Sequence, residues 1–386
     1  MQFDFDKVIS RERTDSVKYD ARQEYFGTRD VRPMWVADMD FAVPMCITEA
    51  LQARIQHPIF GYSLYPESLY QTIIDWFHTR HNWRIERDWI LMAPGVVPSL
   101  FAAVHAFTQE NEDVIVQPPV YFPFFSAVTT NKRKLVLNPL EEKEGKYLIN
   151  FEHLEDCARN GARLLFLCSP HNPVGLVWRE AELQQLLTLA RRYDMTIISD
   201  DIHCDLVYPG TTHTMLGRLA QEGDNIITTI APNKTFNIPG LGLSALVIPN
   251  SDQRKAMKAA FELLHSGNGN PLSIVAFEAA YRQGHSWLDQ LMQYLTGTRD
   301  AAVDFIEQEL PHITCIKPEA TYLLWLDCRK LALSDVQLRD FFIKKCKLGM
   351  NPGSVFGQGG SGFMRLNIGA PQNNVLAALE SIKQQL

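Results

Sequence analysis

Six short β-type runs, at 89–92, 113–117, 163–168, 195–199, 226–230 and 243–248, leave this chain few folds to choose from. Helical patterns stand between several of them, at about 96–109 and 180–193. Parallel strands need a long crossover, and a helix is the usual one. Alternation of this kind predicts a mostly parallel sheet with helices on both faces. Ligands of such sheets sit in the crevice outside the carboxyl ends of the strands. Polar residues just past a strand end are therefore the candidates for chemistry.

The stretch 225–244, NIITTIAPNKTFNIPGLGLS, carries one of them. Its apolar run breaks at Pro232, shows a single lysine, Lys234, and enters a loop with Pro239, Gly240 and Gly242. Apolar neighbours disfavour the ammonium form, which makes the amine a usable nucleophile or base. A surface loop lysine is the plainer reading of this stretch taken alone. Other strand ends carry Gly95, Tyr121, Asn172, and Asp200 with His203. Ala93-Pro94-Gly95-Val96-Val97 lies between a strand and a helix, where backbone N–H groups bind phosphate. Asp200 could pair with a protonated ring nitrogen or cap a helix. Asn172 could donate to a ring oxygen or cap its own turn. Tyr121 could stack on a flat ring or fill core volume. Arg365, inside the apolar FMRLNIG, has the planar fork that suits a substrate carboxylate. A structural ion pair is its alternative, because an unpaired buried charge is costly. As a set, these groups ask for a ligand with a phosphate, an aromatic ring bearing a basic nitrogen and an oxygen, and a carbonyl that condenses with lysine. Pyridoxal phosphate meets each requirement.

At 386 residues the chain is long for one core, which suggests two domains. We expect an N-terminal arm over 1–45 that packs with the small domain, a large cofactor-binding domain over 46–285 and a small C-terminal domain over 286–386. The arm is irregular, and its MWVADMDF reads as a segment packed on the surface. Beyond 252 the chain reads as helical to about 310, then as strands at 322–326 and 363–368 with helices at 334–347 and 372–385. GQGGSG at 357–362 reads as a flexible loop. The net charge of −7 argues against a nucleic-acid partner. Seven cysteines without C-x-x-C spacing fit a reducing compartment. No signal-peptide core and no membrane-length apolar run is present, so a cytoplasmic protein is expected.

MWVADMDF at 34–41, SPHNPVG at 169–175, SDDIHCDLVY at 199–208 and NKTFNIPGL at 233–241 carry a resemblance. The chain resembles the fold-type I pyridoxal-phosphate enzymes of the class I/II aminotransferase group. Within them it is similar to the MalY/PatB family of cystathionine (cysteine-S-conjugate) β-lyases. The resemblance runs from MWVADMDF to RLNIG at 365–369. It implies an α/β fold, with a mostly parallel seven-stranded sheet sandwiched by helices and a smaller α/β C-terminal domain. It implies that Lys234 is the Schiff-base lysine and that Asp200 pairs with the pyridine nitrogen. Asn172 and His203 would hold the ring oxygen, and Tyr121 would stack on the ring. Amides of Val96 and Val97 would hold the phosphate, joined by Tyr62 reaching across a homodimer to the other site. Arg365 would grip the α-carboxylate of an amino-acid substrate. Three positions depart from the wider group: Ala231 and Gly242 stand where many relatives have a phosphate-binding serine and arginine, and Asn233 where many have serine. Asp201 stands where a glutamate is usual. The implied reaction is α,β-elimination from an S-conjugate to a thiol, pyruvate and ammonia. The alternatives are an aminotransferase, or a family member with an added regulatory protein partner.

Overall fold

The computed structural model describes residues 2–143, 145–221, 223–265 and 269–386. Its centre is a seven-stranded sheet: β1 Ile90–Ala93, β2 Asp113–Val116, β3 Lys134–Leu137, β4 Leu164–Cys168, β5 Thr196–Asp200, β6 Ile226–Ile230 and β7 Ser244–Val247. The strands lie in the order β1-β7-β6-β5-β4-β2-β3. Only β7 runs antiparallel to its neighbours. The inner strands are apolar without interruption because both faces are covered. Alternate residues still sort by face. Val114, Val116, Leu164, Phe166, Ile198 and Ile227 form one core layer with α3, Val96–Phe107, and α5, Ser251–Leu263. Ile115, Leu165, Leu167 and Ile197 form the opposite layer with α4, Glu180–Tyr193. The helices α1 Met45–Ile55, α2 Glu67–His81 and α6 Pro271–Gln283 cover the β1 end, where Trp76 stacks on Tyr281 at 4.7 Å.

Of the seven strands of this sheet, one escapes the sequence reading. β3, KLVL, is short, partly exposed and led by a lysine, as suits a sheet edge. Its pattern is too brief to stand out.

The C-terminal part has its own sheet: β8 Thr314–Cys315, β9 Leu323–Asp327, β10 Asn351–Pro352 and β11 Phe363–Asn367, in the order β8-β9-β11-β10 and antiparallel throughout. The long α7 His285–Glu309 and α8 Gln372–Lys383 pack with it. The helix expected over 334–347 is two pieces, Asp335–Asp340 and a wider π turn Phe341–Lys345. The GQGGSG loop is packed rather than loose. Gly357 has φ +89°, and a Cβ there would stand 2.7 Å from the ring of Phe125. The first 45 residues also differ from a surface arm. Met34, Trp35, Met39 and Phe41 are buried, and Arg32–Pro33 pairs with Leu348–Gly349. The chain from 34 to 41 is thus drawn into the molecule, beside the ends of β11 and β6.

Candidate active site

Asp200 is the last residue of β5 and Lys234 lies four residues past β6, the adjacent strand. Burial, joined by the charge of Asp201, lifts the Asp200 carboxyl to about 7 against the pull of Ile202 N–H, Lys234 and Thr229. Its hydrogen bonds, from Ile202 N–H at 3.2 Å and Thr229 Oγ1 at 3.5 Å, both fall on Oδ1. Loss of water around the Lys234 amine brings it down to about 8; Asp38 and Asp200 pull it up, and Arg365 pulls it down. The two groups therefore lie within charge reach of each other, each brought by burial to where its charge changes near physiological pH.

Arg365, in the middle of β11, is 3% exposed. Its Nη1 donates to Asn172 Oδ1 at 2.9 Å, and its Nη2 to Trp35 O at 3.0 Å and Asn351 Oδ1 at 2.8 Å. Its Nε is buried without a partner, and its guanidinium lies 4.9 Å from the Phe356 ring centroid. Burial brings it down to about 10. The structural ion pair held open by the sequence is not found: among the described residues every hydrogen-bond acceptor of Arg365 is neutral. Asn172 spends its Oδ1 on this arginine, so what it can offer a ligand is its NH2.

His203 is buried and its imidazole falls to about 3, through burial first and then the charges of Lys234 and Arg365. It is a neutral ring, and its Nδ1 has no partner. Burial pushes the Tyr121 phenol up to about 12, with Asp200 adding to the rise and Arg365 opposing it. Tyr121 thus faces the same charges. At the start of α3, Gly95 provides no capping side chain and Pro98 has no N–H. The donors left open in that first turn are the amides of Val96 and Val97. Gly242 lies against this turn, for a Cβ there would be 3.3 Å from Pro94 O. Ala231 and Asn233 are buried. Asp201 turns away from the crevice: it accepts from Ser199 Oγ at 2.5 Å and pairs with His213 Nε2 at 2.8 Å. Tyr62 stands apart, 99% exposed on a loop.

The wall facing Lys234 is backbone, and the sequence reading missed it. Every carbonyl from 35 to 39 is held by a side chain. Arg365 takes Trp35 O, and Asn367 Nδ2 takes Val36 O at 2.5 Å and Asp38 O at 2.7 Å. Lys234 Nζ donates to Ala37 O at 2.5 Å, and Tyr322 OH donates to the same atom at 2.9 Å. Asn237 Nδ2 donates to Met39 O at 2.9 Å. Arg365 and Asn367 share one face of β11 because strand side chains alternate. That spacing, in RLN, was the legible signal. The carbonyls themselves leave no mark in a sequence.

The unused valences describe the ligand. Asp200 Oδ2 is available to a cation, and the Val96 and Val97 amides to an anion. The Asn172 NH2 and the orphan His203 Nδ1 can meet a polar ring substituent. The Lys234 amine can meet an aldehyde, and the N–H groups that Arg365 has left on Nε and Nη1 a carboxylate. No piece of pyridoxal phosphate lacks a matching group, so the residues present fit that cofactor.

The chain matches the model of the family described as aminotransferase class I and II over residues 34–382. Cystathionine beta-lyase PatB of Bacillus subtilis is 42% identical over 384 residues, covering 99% of each chain. Protein MalY of Escherichia coli is 34% identical, covering 97% of this chain and 96% of its own. Cystalysin of Treponema denticola, solved with a pyridoxal 5'-phosphate cofactor, superposes with a TM-score of 0.96 at 35% identity, over 100% of this chain and 99% of its own. With the match running from the buried arm to the last helix, the chain belongs to the class I and II aminotransferase family, on the branch of PatB and MalY.

Proposed function

We propose that this protein is a pyridoxal-phosphate-dependent C–S β-lyase that cleaves cystathionine or another L-cysteine S-conjugate to a thiol, pyruvate and ammonia. The observation that carries the reading is the Lys234 amine, held near 8, within charge reach of the buried Asp200 carboxyl. The lyase name of PatB supports the choice within the family.

Bound cofactor supplies the electron sink for negative charge at the substrate Cα. The remaining work belongs to the chain. Arg365 holds the substrate α-carboxylate through the N–H groups it has left, on Nε and Nη1, and so fixes which Cα bond faces Lys234. Lys234, unprotonated, takes the Cα proton and holds it at Nζ, with Ala37 O as acceptor. The pair left at Cα then forms the Cα–Cβ double bond as the bond from Cβ to sulfur breaks; the sulfur keeps that bond's pair as a thiolate, and water converts the released 2-aminoacrylate to pyruvate and ammonia. Asp200 would hold a protonated ring nitrogen, His203 and Asn172 would hold the ring oxygen, and Tyr121 would pack on the ring. Val96 and Val97 would hold the phosphate by the amides left open in the first turn of α3.

Pyruvate release from cystathionine with no keto acid added tests the reading. Release supports the lyase. Conversion only when a keto acid is present would instead make it an aminotransferase.

We also propose a homodimer in which Tyr62 completes the other subunit's phosphate site. Tyr62, Leu64, Ile59 and Phe60 are 99%, 91%, 67% and 55% exposed on one loop, an apolar cost that a second copy would remove. Mixing Lys234→Ala with Tyr62→Ala subunits tests this: roughly a quarter of full activity returns if sites are shared in a two-fold dimer, and none if they are not. The separate four-stranded sheet supports a division into an arm over 1–45, a large domain over 46–285 and a small one over 286–386. Limited proteolysis cutting near 285 checks it. All seven cysteines are thiols, which supports a cytoplasmic setting, and cell fractionation checks that.

A further inference from the structure

Four charged side chains, Arg11, Lys18, Asp38 and Asp40, knot together at the segment that forms the carbonyl wall. Arg11 grips Asp38 with two bonds, Nη1 to Oδ1 at 2.9 Å and Nη2 to Oδ2 at 2.6 Å. The same Nη1 reaches Asp40 Oδ1 at 2.8 Å and Met39 O at 3.3 Å. Lys18, 1% exposed, closes the knot from beneath, with Nζ 3.0 Å from Asp40 Oδ2, 3.6 Å from Asp38 Oδ1 and 3.4 Å from Asp38 O. Tyr19 OH also donates to Asp40 Oδ2, at 3.0 Å. None of these side chains is among those assigned to the ligand, yet all bind the segment whose Ala37 oxygen accepts from Lys234. A bidentate arginine contact fixes orientation as well as distance.

We propose that Arg11 is a positioning residue for the reaction: its fork on Asp38 and Asp40 sets the backbone at 37 against Lys234, and its charge offsets Asp38 beside the amine. The inference rests on Lys234 being the reacting amine. Asp38 acts on Lys234 from the arm, Asp200 from β5 and Arg365 from β11, while His203 is neutral and Tyr322 shares the Ala37 acceptor. Arg11 and Lys18 together balance Asp38 and Asp40. Without Arg11, the cation left to pair with Asp38 among the described residues is the more distant Lys18, and Asp38 pulls harder on a proton at Lys234 Nζ. Arg11 also lines a groove of about 410 Å³ with Asp38, Asn237, Pro239 and Gly240, so its place is open to a small cation.

The test is Arg11→Ala in the loaded enzyme, with and without added guanidinium, together with pH-dependent acylation of Lys234 in the cofactor-stripped full chain. We expect kcat to fall roughly 10- to 100-fold with little change in KM, as for a misplaced catalytic group. Millimolar guanidinium should restore several-fold of it, and the acylation midpoint of Lys234 should move up. A variant with wild-type kcat and an unmoved midpoint would overturn the proposal. So would a loss of activity that guanidinium does not relieve while the midpoint stays put, since that pattern is general loosening. Should Arg11→Ala not fold, Arg11→Lys decides: it keeps the charge but not the fork, and wild-type kcat there rejects positioning. Absence of pyruvate release by the wild type would reject the lyase reading instead, and the acylation midpoint would still test Arg11.

Discussion

Arg365 Nη1 donates to Asn172 Oδ1 at 2.9 Å, and no carboxylate among the described residues joins the pair. A cation buried to this depth without an anion is a poor structural element and a good receptor. Asn172 aims it, and the carboxylate must arrive with the substrate.

Arg365→Met should therefore separate binding from folding. We expect kcat/KM for a cysteine S-conjugate to fall by roughly 10- to 100-fold, matching the loss of a charged hydrogen bond worth about 1.5–3 kcal/mol. Thermal stability should change little, because relief of a buried cation without a counter-ion offsets the hydrogen bonds lost to Asn172, Trp35 and Asn351. Steady-state kinetics and a melting curve on the same sample check both. A large loss of stability with unchanged kcat/KM would mark the arginine as structural.

Lys234 should take up its cofactor as an amine of lowered basicity. Only the neutral form attacks an aldehyde, so the rate at which stripped protein loads pyridoxal phosphate should rise with pH and level off above about 8. A rate still climbing toward 10.5, the value of an ordinary lysine, would place the amine in water. In Lys234→Ala we expect turnover to drop by roughly a thousandfold or more, since the base for the Cα proton is gone.

Asp200 makes a prediction of opposite sign for activity and stability. Its carboxyl stands near 7 in the fold and near 3.8 in the unfolded chain. The unfolded chain thus ionises first as pH rises, and between those values the cofactor-free fold loses stability. Asp200→Asn escapes this cost. We expect the stripped variant to be more stable than wild type at pH 8, by about 2–4 kcal/mol, with the gap closing toward pH 4. The loaded variant should nevertheless lose most activity. Urea titrations at the two pH values and a turnover assay check the pair of effects.

Asp205 should prove structural in the strict sense. Its side chain is 1% exposed and accepts from Trp76 Nε1 at 3.1 Å, His81 Nε2 at 2.8 Å and Thr235 Oγ1 at 2.9 Å. Burial pushes its carboxyl up, but His81, Thr235 and Trp76 outweigh burial and hold it below the usual range. Stability from this group is present above 3.8 and is lost as pH falls through the lower folded value. Asp205→Ala leaves three buried donors unmet, and we expect a cost of about 3–5 kcal/mol by urea unfolding at pH 7. A loss below 1 kcal/mol would show that water replaces the carboxylate.

Much of this was legible in the letters. The apolar runs that became β2, β4, β5 and β6 had to be strands buried on both faces, and Asp200 and Lys234 had to fall just past two strand ends. What escaped was of two kinds. β3 escaped because four partly exposed residues carry too little periodicity. The carbonyl wall at 35–39 escaped because a backbone oxygen is the same atom in every residue. MWVADMDF therefore read as surface, although Asp38 and Asp40 are the anchors that bring it inside.

The sequence by itself determined the parallel sheet, the edge at which chemistry must occur and the kinds of side chain offered there. Hydrophobic spacing and strand termini are local properties, and they are written residue by residue. Only the tertiary structure decided that Arg365 has no counter-ion, that Asp201 turns to His213 while Asp200 faces the crevice, and that Lys234 rests on Ala37. Those facts depend on which groups, from 12 to 197 residues apart in the chain, share one volume without water. Proton affinity and charge pairing follow from that shared dry space, which no single stretch of sequence encodes.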